Sequence, residues 1–243
     1  MALIKSISGI RGTIGNSPNI NLTPLDIVRF SSAYAKWLRD KNKGKLTVVT
    51  GRDARISGPM VHSLVNQTLI GMGIDVIDLG LSTTPTVAIA VPMEHADGGI
   101  VVTASHNTKQ WNALKLLNDA GEFIDAKNGS KIIEFAQSEK FNYAEVDDLG
   151  RIKVDDSFFD KHIQATLNLN NIDKINIKKA RFKVVVDGVN SSGGIIIPKL
   201  LENLNVEVVK IHCNPNGQFP HNPEPLKEHL GDLCDAVVEN KAD

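Results

Sequence analysis

The chain is 243 residues long, 42% hydrophobic and 23% charged, with a formal net charge of -1. That length supports one large domain or two smaller ones with their own cores. The near-neutral balance, without a basic patch, argues against a nucleic-acid partner. No apolar run approaches the roughly 20 residues needed to span a bilayer, and Met1 to Gly12 lacks the basic–apolar–small order of a secretory signal. Cys213 and Cys234 have neither CxxC spacing nor a matching histidine pair, which argues against a zinc site and a disulfide framework. The expectation is a soluble, cytoplasmic protein without a membrane partner.

The first half alternates strand and helix signals. Leu3 to Ser8 reads as a short opening strand. Thr23-Pro24-Leu25-Asp26 then starts a helix, with Thr23 as N-cap, Pro24 at N1 and a carboxylate at N3. Apolar residues follow at helical spacing through Val28, Tyr34, Trp37 and Leu38 until Lys41-Asn42-Lys43-Gly44. Leu46 to Thr50 reads as a buried strand, and Ser57-Gly58-Pro59 restarts a helix with Val61, Leu64, Val65 and Leu69 inward. Ile74 to Leu79 is a strand, Pro85 to Val91 a short helix, Ile100 to Thr103 a strand and Ala113 to Leu117 another. The alternation predicts an α/β fold of βαβ units on a mixed or mostly parallel sheet.

A second unit begins near residue 153, after Asp147-Asp148-Leu149-Gly150. It reads as a helix over Asp156 to Leu169, a strand over Lys183 to Asp187, a helix over Ser192 to Asn203 and a strand over Val206 to Ile211. A final helix is predicted over Pro225 to Asn240, with Leu226, Leu230, Leu233, Val237 and Val238 on one buried face. Such a face normally leads into another strand, so the second domain reads as unfinished.

The densest polar cluster follows the 100–103 strand: Ser105, His106, Asn107, Lys109, Gln110 and Asn112, with Lys115 on the next strand. Loops at strand ends are where a rigid sheet positions reactive groups. A serine nucleophile needs a base or a strong field, which His106 and Lys115 could supply. From the residues alone an ordinary polar turn explains the loop better. Gly9-Ile10-Arg11-Gly12 sets an arginine between glycines, where it could grip a phosphate with two parallel donors. Gly51-Arg52-Asp53-Ala54-Arg55 follows a strand directly, and an Arg–Asp pair fixing a surface loop is its plainer reading. Ser191-Ser192-Gly193-Gly194 precedes a helix and fits either an anion site or N-capping with close glycine packing. His221, within Phe219-Pro220-His221-Asn222-Pro223, reads as a rigid turn residue. There is no Walker A loop, GxGxxG, HExxH or GxSxG elbow, so kinase and serine-hydrolase readings lack their signatures.

Taken together, the segments resemble the α-D-phosphohexomutases, the family of phosphoglucomutase, phosphomannomutase and phosphoglucosamine mutase. The resemblance is carried by Ser8-Gly9-Ile10-Arg11-Gly12, Gly51 to Gly58, Thr83-Thr84-Pro85-Thr86, Thr103-Ala104-Ser105-His106-Asn107 and Asp187-Gly188-Val189-Asn190-Ser191, in the family's order. It implies two α/β domains of the family type, residues 1–152 with the phosphoserine loop and 153–243 as a second domain cut short. An N-terminal fragment is expected, because the family's Asp-rich Mg²⁺ loop, its sugar-selecting loop and its phosphate-binding fourth domain do not occur in this sequence.

By the same resemblance Ser105 carries a phosphoryl group between C1 and C6 of a hexose through a bisphosphorylated sugar. Lys115 is the candidate general base, Arg11 assists at the reacting phosphate, and His106 follows the serine. Arg11, Asn107 and Lys115 contact phosphate or substrate. Mg²⁺ would bind the Ser105 phosphate, with its other ligands expected beyond residue 243. The implied partners are a hexose phosphate substrate and a hexose bisphosphate activator; oligomeric state is left open. Two departures stand out: Thr108 where the family usually has proline, and Ala113 where it has glycine before the lysine motif. The second is tolerable only if φ there is negative, and it is expected to alter the loop's approach slightly. A reading of another class is a non-catalytic sugar-phosphate-binding module, and the chain by itself is expected to show little turnover.

Overall fold

Thr23 opens the first long helix with a reciprocal cap. Its Oγ1 accepts from the Asp26 N–H at 3.4 Å, while its own N–H donates to Asp26 Oδ2 at 3.1 Å. This capping box starts α1 (Pro24–Lys41) where the sequence predicts. In a computed structural model that describes residues 3–6 and 9–243, the chain divides into two units. The first takes in the chain up to Arg52, then Ser57–Ala104 and Gln110–Phe158; the second takes in Asp53–Ile56, Ser105–Lys109 and Phe159–Asp243.

The first unit is built on a seven-stranded sheet: β1 (Ile4–Ser6), β2 (Gly9–Thr13), β3 (Thr47–Arg52), β4 (Asp75–Leu81), β5 (Gly98–Val102), β6 (Trp111–Leu117) and β7 (Ile152–Val154). Their order is β1-β2-β6-β5-β3-β4-β7. The β3, β4, β5 and β7 pairings are parallel, while β1–β2, β2–β6 and β5–β6 are antiparallel. The sheet is therefore evenly mixed. The expected opening strand is present as β1, paired antiparallel with β2, a further strand that the sequence reading did not include; Ile7 and Ser8 of the expected segment lie outside the described residues.

Strand alternation sends side chains to two cores. Val48, Ile100 and Val102 join one cluster with Tyr34, Leu38, Val65 and Leu69, from α1 and α2 (Gly58–Gly71). Val49 and Val101 join the other, with Val87 and Val91 of α3 (Thr84–Met93) and with Phe158. Of the four α2 residues expected inward, Val61, Val65 and Leu69 are buried and Leu64 is partly so. The helix α4 (Ala126–Ser138) also packs on α1.

The second unit has α5 (Phe158–Leu167), which begins at the first unit's last residue, then α6 (Lys174–Ala180), α7 (Gly193–Asn203) and α8 (Gly231–Asn240). Its parallel strands are β8 (Lys183–Asp187) and β9 (Glu207–Ile211). The predicted helix over Pro225 to Asn240 is corrected: a 3-10 turn at Lys227–His229 precedes α8, which starts only at Gly231. Of the face expected to be buried, Leu230, Leu233 and Val237 are half-buried, while Leu226 and Val238 are 47% and 77% exposed. Glycine at position 231 makes a poor helix interior, and a two-stranded sheet offers little apolar surface to cover.

Candidate active site

The serine loop is held by its backbone. Arg55 has a fully buried side chain and donates from Nη2 to the carbonyls of Ser105 and Asn107, both at 2.7 Å. Its Nη1 donates to the Thr108 carbonyl at 2.8 Å. Its Nε donates to Asp53 Oδ2 at 3.0 Å, and Asp53 Oδ1 accepts the Arg55 N–H at 3.0 Å. The ring of Phe219 lies 5.0 Å from the guanidinium. A planar fork with fixed donors suits this multiple grip, which lysine cannot reproduce. Burial lowers the Arg55 pKa from its ordinary value, and the Asp53 carboxylate opposes that shift.

The Asp53–Arg55 pair does fix a loop, as the sequence suggests, but it is buried and the loop is that of Ser105. What sequence reasoning did not assign is Arg55's hold on the Ser105 loop; its signals were that Arg–Asp reading and its place in Gly51 to Gly58. Pinned carbonyls leave the loop's side chains outward: Ser105 and His106 are exposed and Asn107 is partly so. Ser105 adopts φ +54, a left-handed conformation uncommon for a residue with a Cβ and frequent at functional turns. His106 Nε2 lies 3.2 Å from Glu224 Oε2. Thr108 is gripped through its carbonyl, so the usual proline would present the same acceptor.

In the first unit, strand register brings the two predicted cations together. Arg11 pairs with Ala113 across β2–β6, so Arg11 and Lys115 project from the same face as diagonal neighbours. Lys115 Nζ stands 5.8 Å from the centroid of Phe123, and Arg11 Nε is buried without a hydrogen-bond partner among the described residues. Gly9, at φ +117, lets β2 lie against β6, since a Cβ there would come 2.1 Å from the Leu114 carbonyl oxygen. Ala113 is absent from the positive-φ residues, so its methyl group sits in ordinary strand geometry. Asn112, fully buried, donates to Ser57 Oγ at 2.9 Å and accepts the Ala113 N–H at 2.8 Å. Thr83 caps α3, accepting the Thr86 N–H at 3.3 Å.

The segment after β8 favours close packing over an anion site. Ser192 makes no capping hydrogen bond, Ser191 Oγ accepts the Ala54 N–H at 3.2 Å, and a Cβ on Gly194 would come 2.8 Å from Cys213 Cα. His221 is more than a turn residue: its Nε2 lies 2.8 Å from Asp187 Oδ2 and its Nδ1 2.9 Å from the Asn222 carbonyl. Burial lowers the His221 pKa, but the Asn222 and Asp187 hydrogen bonds and the Asp187 and Asp232 charges outweigh it and raise it above its ordinary value. No described helix is long and apolar enough to cross a membrane.

The chain's relatives point one way. Residues 3–143 match the family model for phosphoglucomutase/phosphomannomutase α/β/α domain I, and residues 159–243 match that for domain II. A phosphoglucomutase/phosphomannomutase of Thermococcus kodakarensis is 35% identical over 236 residues, covering 97% of this chain and 50% of that protein. A probable phosphoglucosamine mutase of Methanosphaera stadtmanae is 34% identical, with 97% and 50% covered. The chain thus spans about half the length of the curated relatives it matches. A putative phosphomannomutase structure from Thermus thermophilus shares the fold, with a TM-score of 0.80 at 24% identity, covering 98% of this chain and 52% of that one. With both domain models matched in order, the chain belongs to the phosphoglucomutase/phosphomannomutase family.

Proposed function

We propose that this chain is the phosphoryl-carrying part of a phosphohexomutase, with residues 1–152 and 153–243 as its first two domains and Ser105 as the carrier. The observation that carries this reading is the exposed, left-handed Ser105 on a loop whose carbonyls are gripped by buried Arg55. Such a loop presents its hydroxyl in a fixed direction, and in-line phosphoryl transfer depends chiefly on positioning and charge neutralisation.

In the forward step a sugar hydroxyl oxygen bonds to the phosphorus of phosphorylated Ser105 as the Ser105 Oγ–P bond breaks. The hydroxyl proton passes to the base, for which Lys115 is the candidate. Arg11, on the same sheet face as Lys115, serves as the phosphate-binding cation, with His106 and Asn107 beside the serine. The return step reverses these bonds at the other end of the bisphosphorylated sugar, moving the phosphoryl group between C1 and C6. Mg²⁺ is the family's expected cofactor, but the described residues do not supply a donor set for it. Their one metal-capable group, Asp187 with His212 and His221, is rich in imidazole, whereas Mg²⁺ prefers oxygen. No step here runs through the metal.

Glucose and mannose phosphates are the first substrates to test. Glucosamine phosphate is the second reading, favoured by the relatives named as probable phosphoglucosamine mutases. A polypeptide carrying this chain together with the family's remaining domains is incubated with Mg²⁺ and each labelled hexose bisphosphate, and the site of label is mapped by mass spectrometry. Label on Ser105, lost in Ser105→Ala, is the expected result. An unlabelled Ser105, with every sugar at saturating concentration, removes the reading in favour of a non-catalytic sugar-phosphate-binding module.

A further inference from the structure

We propose that Asp187, His212 and His221 bind a single divalent transition-metal ion, with Zn²⁺ the best match, independently of the phosphoryl chemistry assigned to Ser105. The topology assembles the group. Asp187 ends β8 and His212 directly follows β9, its parallel neighbour, so the two lie at the carboxyl ends of adjacent strands. Ligand sites in α/β sheets gather at such ends. The loop after Cys213 then returns His221 to the same place.

One ligand atom from each residue lies within 4.8 Å of the other two, and all three residues are partly buried. Bonds of about 2.0–2.2 Å to one ion would draw them in by no more than about an ångström. The hydrogen bonds also fix the imidazole of His221. Its Nδ1 faces the Asn222 carbonyl at 2.9 Å, an acceptor, so Nδ1 carries a hydrogen. Nε2 is then the atom left for Asp187 Oδ2 at 2.8 Å, where either a proton or a metal ion can be shared between them.

Outer contacts complete the arrangement. Asp187 Oδ1 accepts the Val189 N–H at 2.8 Å, and Asp232 Oδ2 holds His212 Nε2 at 3.0 Å. A carbonyl behind a histidine, as Asn222 stands behind His221, is the usual support of a metal ligand. Two imidazoles and one carboxylate suit zinc-like ions and not Mg²⁺. The sequence argument against zinc looked to the cysteines, whereas these ligands come from three separate segments.

The metal-free chain is titrated with Zn²⁺ by calorimetry and with Co²⁺ by visible absorption, with Mg²⁺ as competitor. One ion per chain is expected, with a Co²⁺ spectrum of low coordination number that millimolar Mg²⁺ leaves in place. His221→Gln and Asp187→Asn should each weaken binding by at least about tenfold, with folding followed by far-ultraviolet circular dichroism. The Cys213→Ser/Cys234→Ser double variant should bind as the unaltered chain does. Absence of binding by the unaltered chain overturns the proposal, whatever the variants do. So does undiminished binding by folded His221→Gln, loss of binding in the cysteine double variant, or displacement by Mg²⁺.

Discussion

The two units reach order by different means. In the first, a seven-stranded sheet feeds two clusters in which Val48, Val49, Leu69, Val87, Ile100 and Val101 are wholly buried. In the second, the buried cluster is Ile163, Leu167, Ile196, Leu204 and Val206, each still slightly exposed, and α8 is at most half-buried. Ion pairs occur in both units; in the second, Lys199–Asp160, Lys183–Glu207 and Lys210–Glu202 lie at the surface, while Asp53–Arg55 is buried. Exposed pairs contribute little, whereas breaking a buried one strands a charge. Order in the second unit is therefore concentrated in a few residues, and in the first it is spread over many.

Arg55→Ala should break that comparison most severely. It leaves the Asp53 carboxylate, 8% exposed, without its cation and three loop carbonyls without their donor. Loss of one partner from a buried pair costs about 3–5 kcal/mol. Urea unfolding followed by circular dichroism measures the loss, and hydrogen exchange at 105–109 shows whether the serine loop has come free. Arg55→Lys should recover only part, since its single ammonium cannot reach all four acceptors. A loss below about 1 kcal/mol for Arg55→Ala would mean that the clamp is not what orders the loop.

The first unit has its own buried polar group, and pH tests it. His62, 6% exposed, lies 3.1 Å from Thr50 Oγ1, which donates to Asn66 Oδ1 at 2.9 Å; Asn66 in turn donates to Asp78 Oδ2 at 3.0 Å. Thr50 has used its hydrogen, so His62 Nε2 is the donor to it. Burial holds the His62 pKa below its ordinary 6.5, outweighing the opposing attraction of Asp78. An unfolded chain takes the proton near pH 6.5 while the folded one declines it. Stability should be level above that pH and fall as pH drops from 6.5 toward the depressed folded value. The chain's two tryptophans, Trp37 and Trp111, both belong to the first unit, so their fluorescence follows it alone. His62→Gln should flatten the dependence in that window. An unchanged slope would assign it to another group.

Much of this was legible in the sequence where chemistry is local. Thr23, Pro24 and Asp26 specify a helix start within four residues, and the β3, β4, β5 and β6 segments announce themselves by apolar runs between turns. The elements that escaped notice lack such signals. The first turn of α4 reads Ala126-Lys127-Asn128-Gly129, a loop-like composition, and the three residues of β7 are all exposed. The candidate site divides in the same way. Ser105 was found from its position after a strand and from family likeness. The Arg55 grip and the shared face of Arg11 and Lys115 depend on contacts between residues about 50 and 100 positions apart, which hydrophobic period does not encode.

The smallest expected effect belongs to the helix on which sequence and structure disagree. Periodicity places Val238 on a buried face of α8, and the structure leaves it 77% exposed. A buried valine cut to alanine leaves a cavity and forfeits apolar contact, a loss of about 1 kcal/mol or more. An exposed one forfeits neither, and alanine is the better helix former by roughly half a kcal/mol. Val238→Ala should therefore change stability by no more than about 0.5 kcal/mol, in the favourable direction. Hydrogen exchange at the α8 amides measures this locally, where fluorescence from the first unit is blind. Slower exchange in the variant agrees with the exposed position. Exchange faster by an order of magnitude would mean that Val238 is packed in solution, so the periodicity had been the better guide to that face.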